Sequence, residues 1–165
     1  MPDLLAHALI AYTIARLLSW RYDWLSSASV TVVMAGAFIP DLMKMRLLIR
    51  SGTVEHLLGL PFSWSVFHTA GGTLVAILIG VVIVDPNKRQ RIFALLSIGA
   101  ASHLLVDGLL LTPSGHSYAM FWPLTRYHPP TPGWYLSTQP GPTIVTLIVA
   151  MGIWLLTCIR RRKMS

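Results

Sequence analysis

Long apolar runs separated by short polar turns dominate the chain. A membrane-crossing helix needs about 20 mainly apolar residues, roughly 17–25. Residues 67–84, 92–111 and 142–159 satisfy that outright. The last run opens on Pro142, whose missing N–H costs nothing in a first helical turn. Two further runs carry charge: residues 4–18 hold His7 and Arg16, and residues 28–45 hold Asp41 and Lys44. Each fits either a span or a buried amphipathic helix. The pattern as a whole predicts an all-α polytopic bundle of about five transmembrane helices, in a single domain over residues 1–165. Met1-Pro2-Asp3 lacks a basic n-region and no small-residue cleavage site follows, so the first run is expected to be retained.

Residues 112–141 break the pattern. Prolines at 113, 123, 129, 130, 132 and 140 forbid a helix or central strand through most of the segment. Its rings, Tyr118, Phe121, Trp122, Tyr127, Trp134 and Tyr135, suit the headgroup level. An ordered loop hugging the outer interface is the expectation. Within residues 67–84, Gly72, Ala76 and Gly80 recur every four positions, a spacing that lets membrane helices approach closely.

Composition supports the membrane reading. Of 165 residues, 54% are hydrophobic and 12% charged, and the mean hydropathy is +0.62, against about 45–50% apolar and about 25% charged in soluble domains. Disorder is excluded, because such a chain collapses. A soluble bundle would have to bury residues 142–159 on all sides, which a chain this small does poorly. The net charge of +7 would suggest nucleic acid in a soluble protein; here the placement of the charges matters more, and nucleic acid is not an expected partner. Arg16, Arg21, Lys88, Arg89, Arg91, Arg160, Arg161, Arg162 and Lys163 fall on one side of the proposed spans, which predicts a cytoplasmic C-terminus and an outer N-terminus in a multi-pass cell-membrane protein. Lys44, Arg46, Arg50 and Arg126 then lie outside. Cys158 stands alone, forms no intramolecular disulfide and is expected to be a small buried hydrophobe.

With that topology, the rare polar residues of the runs converge near the outer side: His7, Asp41, His68, His103 and Asp107, with His116 just beyond. Ionisable groups at membrane depth are costly enough to mark function by default. His103 and Asp107 are four apart and share a helix face, and imidazole with carboxylate suits zinc or manganese. A satisfied, purely structural polar network is the alternative. His56 and His128 lie in outer loops beside no obvious partner and are expected to be solvated.

Pro40-Asp41 after an apolar run, His68 at the head of a span, Ser102-His103-Leu104-Leu105-Val106-Asp107, Thr112-Pro113-Ser114-Gly115 and Trp122-Pro123 together resemble a family of membrane-bound, metal-dependent hydrolases. These are labelled LexA-binding, inner-membrane-associated hydrolases, and are distantly similar to zinc-dependent phospholipase C and to single-strand nucleases. The likeness covers residues 7–124 and is most specific over 102–124. It implies that His7, Asp41, His68, His103 and Asp107 bind a divalent metal, zinc or manganese. It also implies hydrolysis of a phosphoester, such as a phospholipid, at the outer face, with membrane lipids and a small phosphoester as partners. His116 and Arg126, with Arg46 and Arg50, are the candidates to meet substrate, since Arg grips phosphate bidentately. Asp41 or Asp107, if off the metal, would serve as general base. The chain has Met43 and Lys44 where the family has a second Asp and a His, and Ser63 and Trp64 where it has a His-Arg pair, which implies a reduced ligand set. A non-catalytic membrane protein, its cluster structural or ion-binding, is the competing function.

Overall fold

Local capping and the prolines set where each helix starts and stops. In the computed structural model, residues 4–136 and 138–164 are described, without the side chains of 161, 163 and 164. Met1, Pro2 and Asp3, and the side chains of Arg161 and Lys163, on which parts of the topology reading rest, lie outside the described residues. The α-helices are α1 (Leu4–Ser19), α2 (Ser27–Gly36), α3 (Ser51–Leu58), α4 (Ala70–Val82), α5 (Arg89–Asp107) and α6 (Gly141–Met164), with 3-10 turns at Pro40–Leu47, Trp64–His68 and Pro86–Lys88. The architecture is all-helical. Among the described residues the only β-type pairings are isolated bridges, Leu110 to Tyr135 and His116 to Pro130, within and beside the proline-rich loop.

The run over residues 28–45 is two pieces. Ser26 opens α2 by accepting a bond from Ser29 N through its Oγ, as Ser does at an N-cap. Pro40 then has no N–H to give and its ring crowds the carbonyl four residues back. The chain turns by 55° into Pro40–Leu47. The run over 67–84 is also divided. Thr69 is extended, at φ −123° and ψ 157°, and its Oγ1 caps Gly72 N at 3.2 Å. Two more orphan amides of this helix start, Ala70 N and Gly71 N, donate to Met120 O at 2.6 Å and Trp122 O at 3.0 Å. The proline-rich loop, which includes a cis Trp122–Pro123 peptide, is therefore fastened to α4.

With 13 residues, α4 rises about 20 Å, short of the roughly 30 Å hydrocarbon core. By length and composition only Gly141–Arg160 is a clear membrane span among the described residues, joined by the bent pair Ser27–Gly36 and Pro40–Leu47 if that counts as one; Leu4–Ser19 and Ala70–Val82 are apolar but shorter.

The bundle is built around α5. Ala11, Ala15, Val33, Ala37 and Leu95 interlock where α1, α2 and α5 meet. Two glycines set that crossing: a Cβ on Gly99 would overlap Val33 O, and one on Gly36 would overlap Leu96 O. The stripe Gly72, Ala76, Gly80 does not play that part. Gly72 lies against Val66 O and Gly80 has only Leu96 Cδ1 at 4.0 Å. Instead α4 meets α5 through Ile77, Val81 and Ala100, because larger side chains of α4 face that way. At the end remote from His7, Arg91 Nη2 donates to Ser29 Oγ at 2.8 Å and to Trp24 O. There α6 docks on α1, with Trp20 Nε1 donating to Thr157 Oγ1 at 3.2 Å and the Arg160 guanidinium over the Trp20 ring. Elsewhere α6 presents bare apolar side chains, Ile144, Val145, Ile148 and Leu155 among them. Cys158 is half-buried and unpaired.

Candidate metal centre

Four elements deliver the polar cluster to one end of the bundle. His7 comes from the first turns of α1, Asp41 from the turn after α2, His68 from the turn before α4, and His103 and Asp107 from the last turns of α5. These placements follow from the breaks just described: Pro40 turns Asp41 inward, and the pinned start of α4 holds His68 beside it. All five are buried, His103 completely.

Asp107 is the hub. Its Oδ1 lies 3.2 Å from His7 Nε2, and its Oδ2 lies 2.9 Å from His68 Nε2 and 3.5 Å from His103 Nε2. His103 Nε2 is also 4.0 Å from Asp41 Oδ1. The His7 and His103 rings stack at 3.7 Å between centroids with planes 16° apart, and the His68 ring meets His103 edge-on at 5.4 Å.

Backbone carbonyls decide what these rings offer. His103 Nδ1 bonds Ala37 O at 2.7 Å, and His68 Nδ1 bonds Pro40 O at 3.4 Å. A carbonyl only accepts, so each ring carries its proton on Nδ1, and in the neutral form Nε2 presents a lone pair. Those lone pairs face carboxylate oxygens, an arrangement that requires positive charge between them. Consistently, His7 Nε2, His68 Nε2, His103 Nε2, Asp41 Oδ1 and both oxygens of Asp107 are buried without a hydrogen-bond partner among the described residues. Leaving such groups unsatisfied costs about 1–3 kcal/mol each. A divalent cation would satisfy them together. His7, His103 and Asp107 form one group with ligand atoms spaced for an ion, and Asp41, His68 and His103 form a second. Histidines fixed through Nδ1 to a carbonyl are the usual outer support of a metal site, and the donor set of imidazole nitrogen and carboxylate oxygen suits zinc or manganese.

The other sequence candidates lie elsewhere. His116 is exposed, and its Nδ1 bonds Ser114 O at 2.8 Å within its own turn. Arg126 is exposed and makes no hydrogen bond or ion pair among the described residues. Neither touches the five, because the loop carries both outward. His56 is exposed. His128, read from sequence as without a partner, bonds Ser117 O at 2.9 Å through Nδ1, a contact created by the fold of the proline-rich loop.

Sequence reasoning missed three neighbours. Lys44, read from sequence as an outer-side charge and a departure from the family pattern but not as a partner of the cluster, places Nζ 2.7 Å from Asp41 Oδ2; the i, i+3 spacing was the available signal. Tyr118 sets its ring edge-on to His68 at 5.1 Å. Tyr135, whose Oη donates to Val106 O at 2.7 Å, closes the turn after α5. Burial and, less, the Asp107 charge push its phenol above the ordinary range, so it stays a neutral donor. No sequence signal marked either tyrosine beyond its membership of the aromatic loop.

Over residues 1–164 the chain matches the family described as YdjM inner membrane protein, and it belongs to that family. No curated protein and no solved structure matches it significantly.

Proposed function

From membership of an inner membrane protein family, and from a buried site suited to a cation, we propose that this protein is a membrane-embedded, metal-dependent hydrolase. Its substrate is a phosphoester, such as a phospholipid, at the outer face. The observation that supports the reading is the set of buried imidazole nitrogens and carboxylate oxygens that face one another with no hydrogen-bond partner among the described residues. A divalent ion held there would polarise a phosphoryl oxygen and lower the pKa of water.

The chain's own residues have distinct parts. His68 and His103 offer Nε2, held in place by Pro40 O and Ala37 O. His7 closes the group from α1, stacked on His103. Asp41 has Oδ2 tied to Lys44, which leaves Oδ1 either to hold the ion beside His68 and His103 or, off the metal, to accept a proton as general base. Arg46, Arg50 and Arg126, which have no side-chain partner among the described residues, are the cations available to a phosphate.

The membrane arrangement is part of the proposal. α1 and α4 start at the cluster end, whereas α2 and α5 finish there. Arg91 and Arg160 lie at the other end, beside Trp24 and Trp20. By the positive-inside rule that end is cytoplasmic, which puts the cluster outside, the N-terminus outside and the C-terminus inside, with about five helical passes, some short or broken.

A second reading rests on the same burial. With His7, His68 and His103 each no more than 2% exposed, the cluster equally suits a non-catalytic membrane protein whose His/Asp network is structural or holds an ion. Elemental analysis of detergent-purified protein separates them when combined with a phosphodiesterase and phospholipase panel. About one or more zinc or manganese per chain is expected, lost together with hydrolysis in a His103→Ala, Asp107→Ala double variant. Metal without hydrolysis selects the second reading in its ion-binding form, and absence of metal after reconstitution overturns both metal readings.

A further inference from the structure

A cavity of about 740 Å³ opens beside the metal centre, between the start of α4 and the loop at residues 121–124. Phe62 and Phe67 wall one side, Leu74 and Val75 of α4 another, and Phe121 and Pro123 the third. The volume falls within the roughly 300–1,000 Å³ of small-ligand sites, yet hardly a polar group lines it. Only Ser63 and Trp122 among its lining residues carry a polar side-chain atom. We propose that this cavity seats an acyl chain of a membrane phospholipid whose phosphate end lies beside the His7–Asp107 centre, toward the turns Pro40–Leu47 and Trp64–His68. The proposal rests on the hydrolase reading above and narrows its substrate class to a lipid.

Three observations select that occupant. First, the α4 wall continues into open apolar surface: Leu74 and Val75 are 44% and 54% exposed, and Leu78, Ile79 and Val82 beyond them are exposed as well. In an inner membrane protein such a face meets hydrocarbon, so the mouth is continuous with the lipid phase and a lipid chain is the molecule present there. Second, the cavity and the centre share a wall. Phe67 lines the cavity, and the next residue, His68, points Nε2 at Asp107. Tyr118, a few residues before Phe121, holds its ring against His68. Third, charge is available where a phosphate would emerge. The turn Pro40–Leu47, which carries Arg46, packs on the turn Trp64–His68. Trp64 Nε1 bonds Ile49 O at 2.8 Å, which brings Arg50 to the same side.

The seat is built rather than incidental. Ala70 N and Gly71 N hold the opposite wall through Met120 O and Trp122 O. Gly71 is what permits that approach, because a Cβ there would overlap Pro123 Cδ and Trp122 O.

The test uses the full chain in nanodiscs of phosphatidylethanolamine and phosphatidylglycerol, with a trace of phosphatidylethanolamine bearing a diazirine at the end of one acyl chain. After photolysis, adducts are mapped by peptide mass spectrometry and metal is measured in the same samples. Adducts are expected to concentrate in residues 62–75 and 121–124, and to fall about fivefold or more in Val75→Trp, which fills the cavity. Ile79→Trp, one turn further along the same exposed face, is expected to leave labelling unchanged. Ser63→Asp, a charge at the exposed rim, is the second variant and is expected to lower labelling without disturbing the core. Labelling spread evenly over α4 and α6 and unaffected by Val75→Trp and Ser63→Asp overturns the proposal. So does cross-linking of a second copy of the chain into the cavity. Metal retained with cavity labelling absent removes the lipid seat and leaves the metal reading standing, whereas labelling present without metal keeps the seat and removes the hydrolase.

Discussion

Helices α5 and α6 are built from similar material and used in opposite ways. Both are long, at 19 and 24 residues. α5 is wrapped by α1, α2 and α4, and places Gly99, Ala100, Ser102, His103 and Asp107 out of solvent. α6 leans mainly on α1 and leaves most of its described apolar side chains uncovered. The contrast shows where polar chemistry is affordable in such a protein. A charged group is tolerated on the helix that other helices enclose, where partners can be supplied, and is absent from the apolar stretch of the helix left uncovered.

The sharpest way to break the contrast is at the hub. Asp107→Ala leaves three imidazoles without the carboxylate they face and should destabilise by about 3–5 kcal/mol. Thermal unfolding in detergent should show it, and on the metal reading chelation should lower the Tm of the native chain more than that of the variant, which would lose the group of His7, His103 and Asp107 and keep Asp41, His68 and His103. Next in size is Gly99→Val, which drives a Cβ into Val33 O where α2 and α5 touch; about 1–3 kcal/mol or more is expected, read as loss of monodisperse protein on gel filtration. Lys44→Met removes the cation from Asp41 Oδ2. Because Lys44 is partly exposed, about 1 kcal/mol or less is expected, and the informative reading is metal stoichiometry, which should hold or rise if Lys44 competes with an ion for Asp41. Trp20→Phe deletes the bond to Thr157 and should cost about 0.5–1.5 kcal/mol, loosening α6 from α1 without altering metal content. Smallest is Ile148→Ala on the bare side of α6, expected within about 0.5 kcal/mol; a large loss there would mean that this face is covered by a partner helix.

What the sequence made legible follows from the same physics. Asp41, His68, His103 and Asp107 stood out because polar residues are conspicuous against an apolar background, and the antiparallel order of the runs put them at one level. The helix breaks were harder. Pro40 announced its turn, but Thr69, a common N-cap type, is only a faint local signal inside an apolar run: α4 starts there because its Oγ1 caps Gly72 N and because Met120 O and Trp122 O, about 50 residues away, take the two amides before it. The close crossing of α2 and α5 was hidden for a similar reason. Gly36 and Gly99 are isolated glycines in their helices, and only the crossing reveals their use, whereas the regular Gly72, Ala76, Gly80 spacing advertised a contact that larger side chains of α4 make instead. In the proline-rich loop each proline limits what its neighbours can do without fixing the path, so neither the His128 to Ser117 bond nor the outward placement of His116 and Arg126 was readable.

The stacking of His7 on His103 makes the first helix sensitive to counting. Ala11 and Ala15, wholly buried against α2 and α5, lie four and eight positions after His7, and each added residue turns a helix by about 100°. One alanine inserted between His7 and Ala11 would barely alter composition, hydropathy and helix propensity, yet would either swing the imidazole out of the cluster or pull both alanines out of the crossing. In this part of the chain substitution of one small residue for another is a mild change and insertion is a severe one, so the segment is constrained in its length more tightly than in its letters.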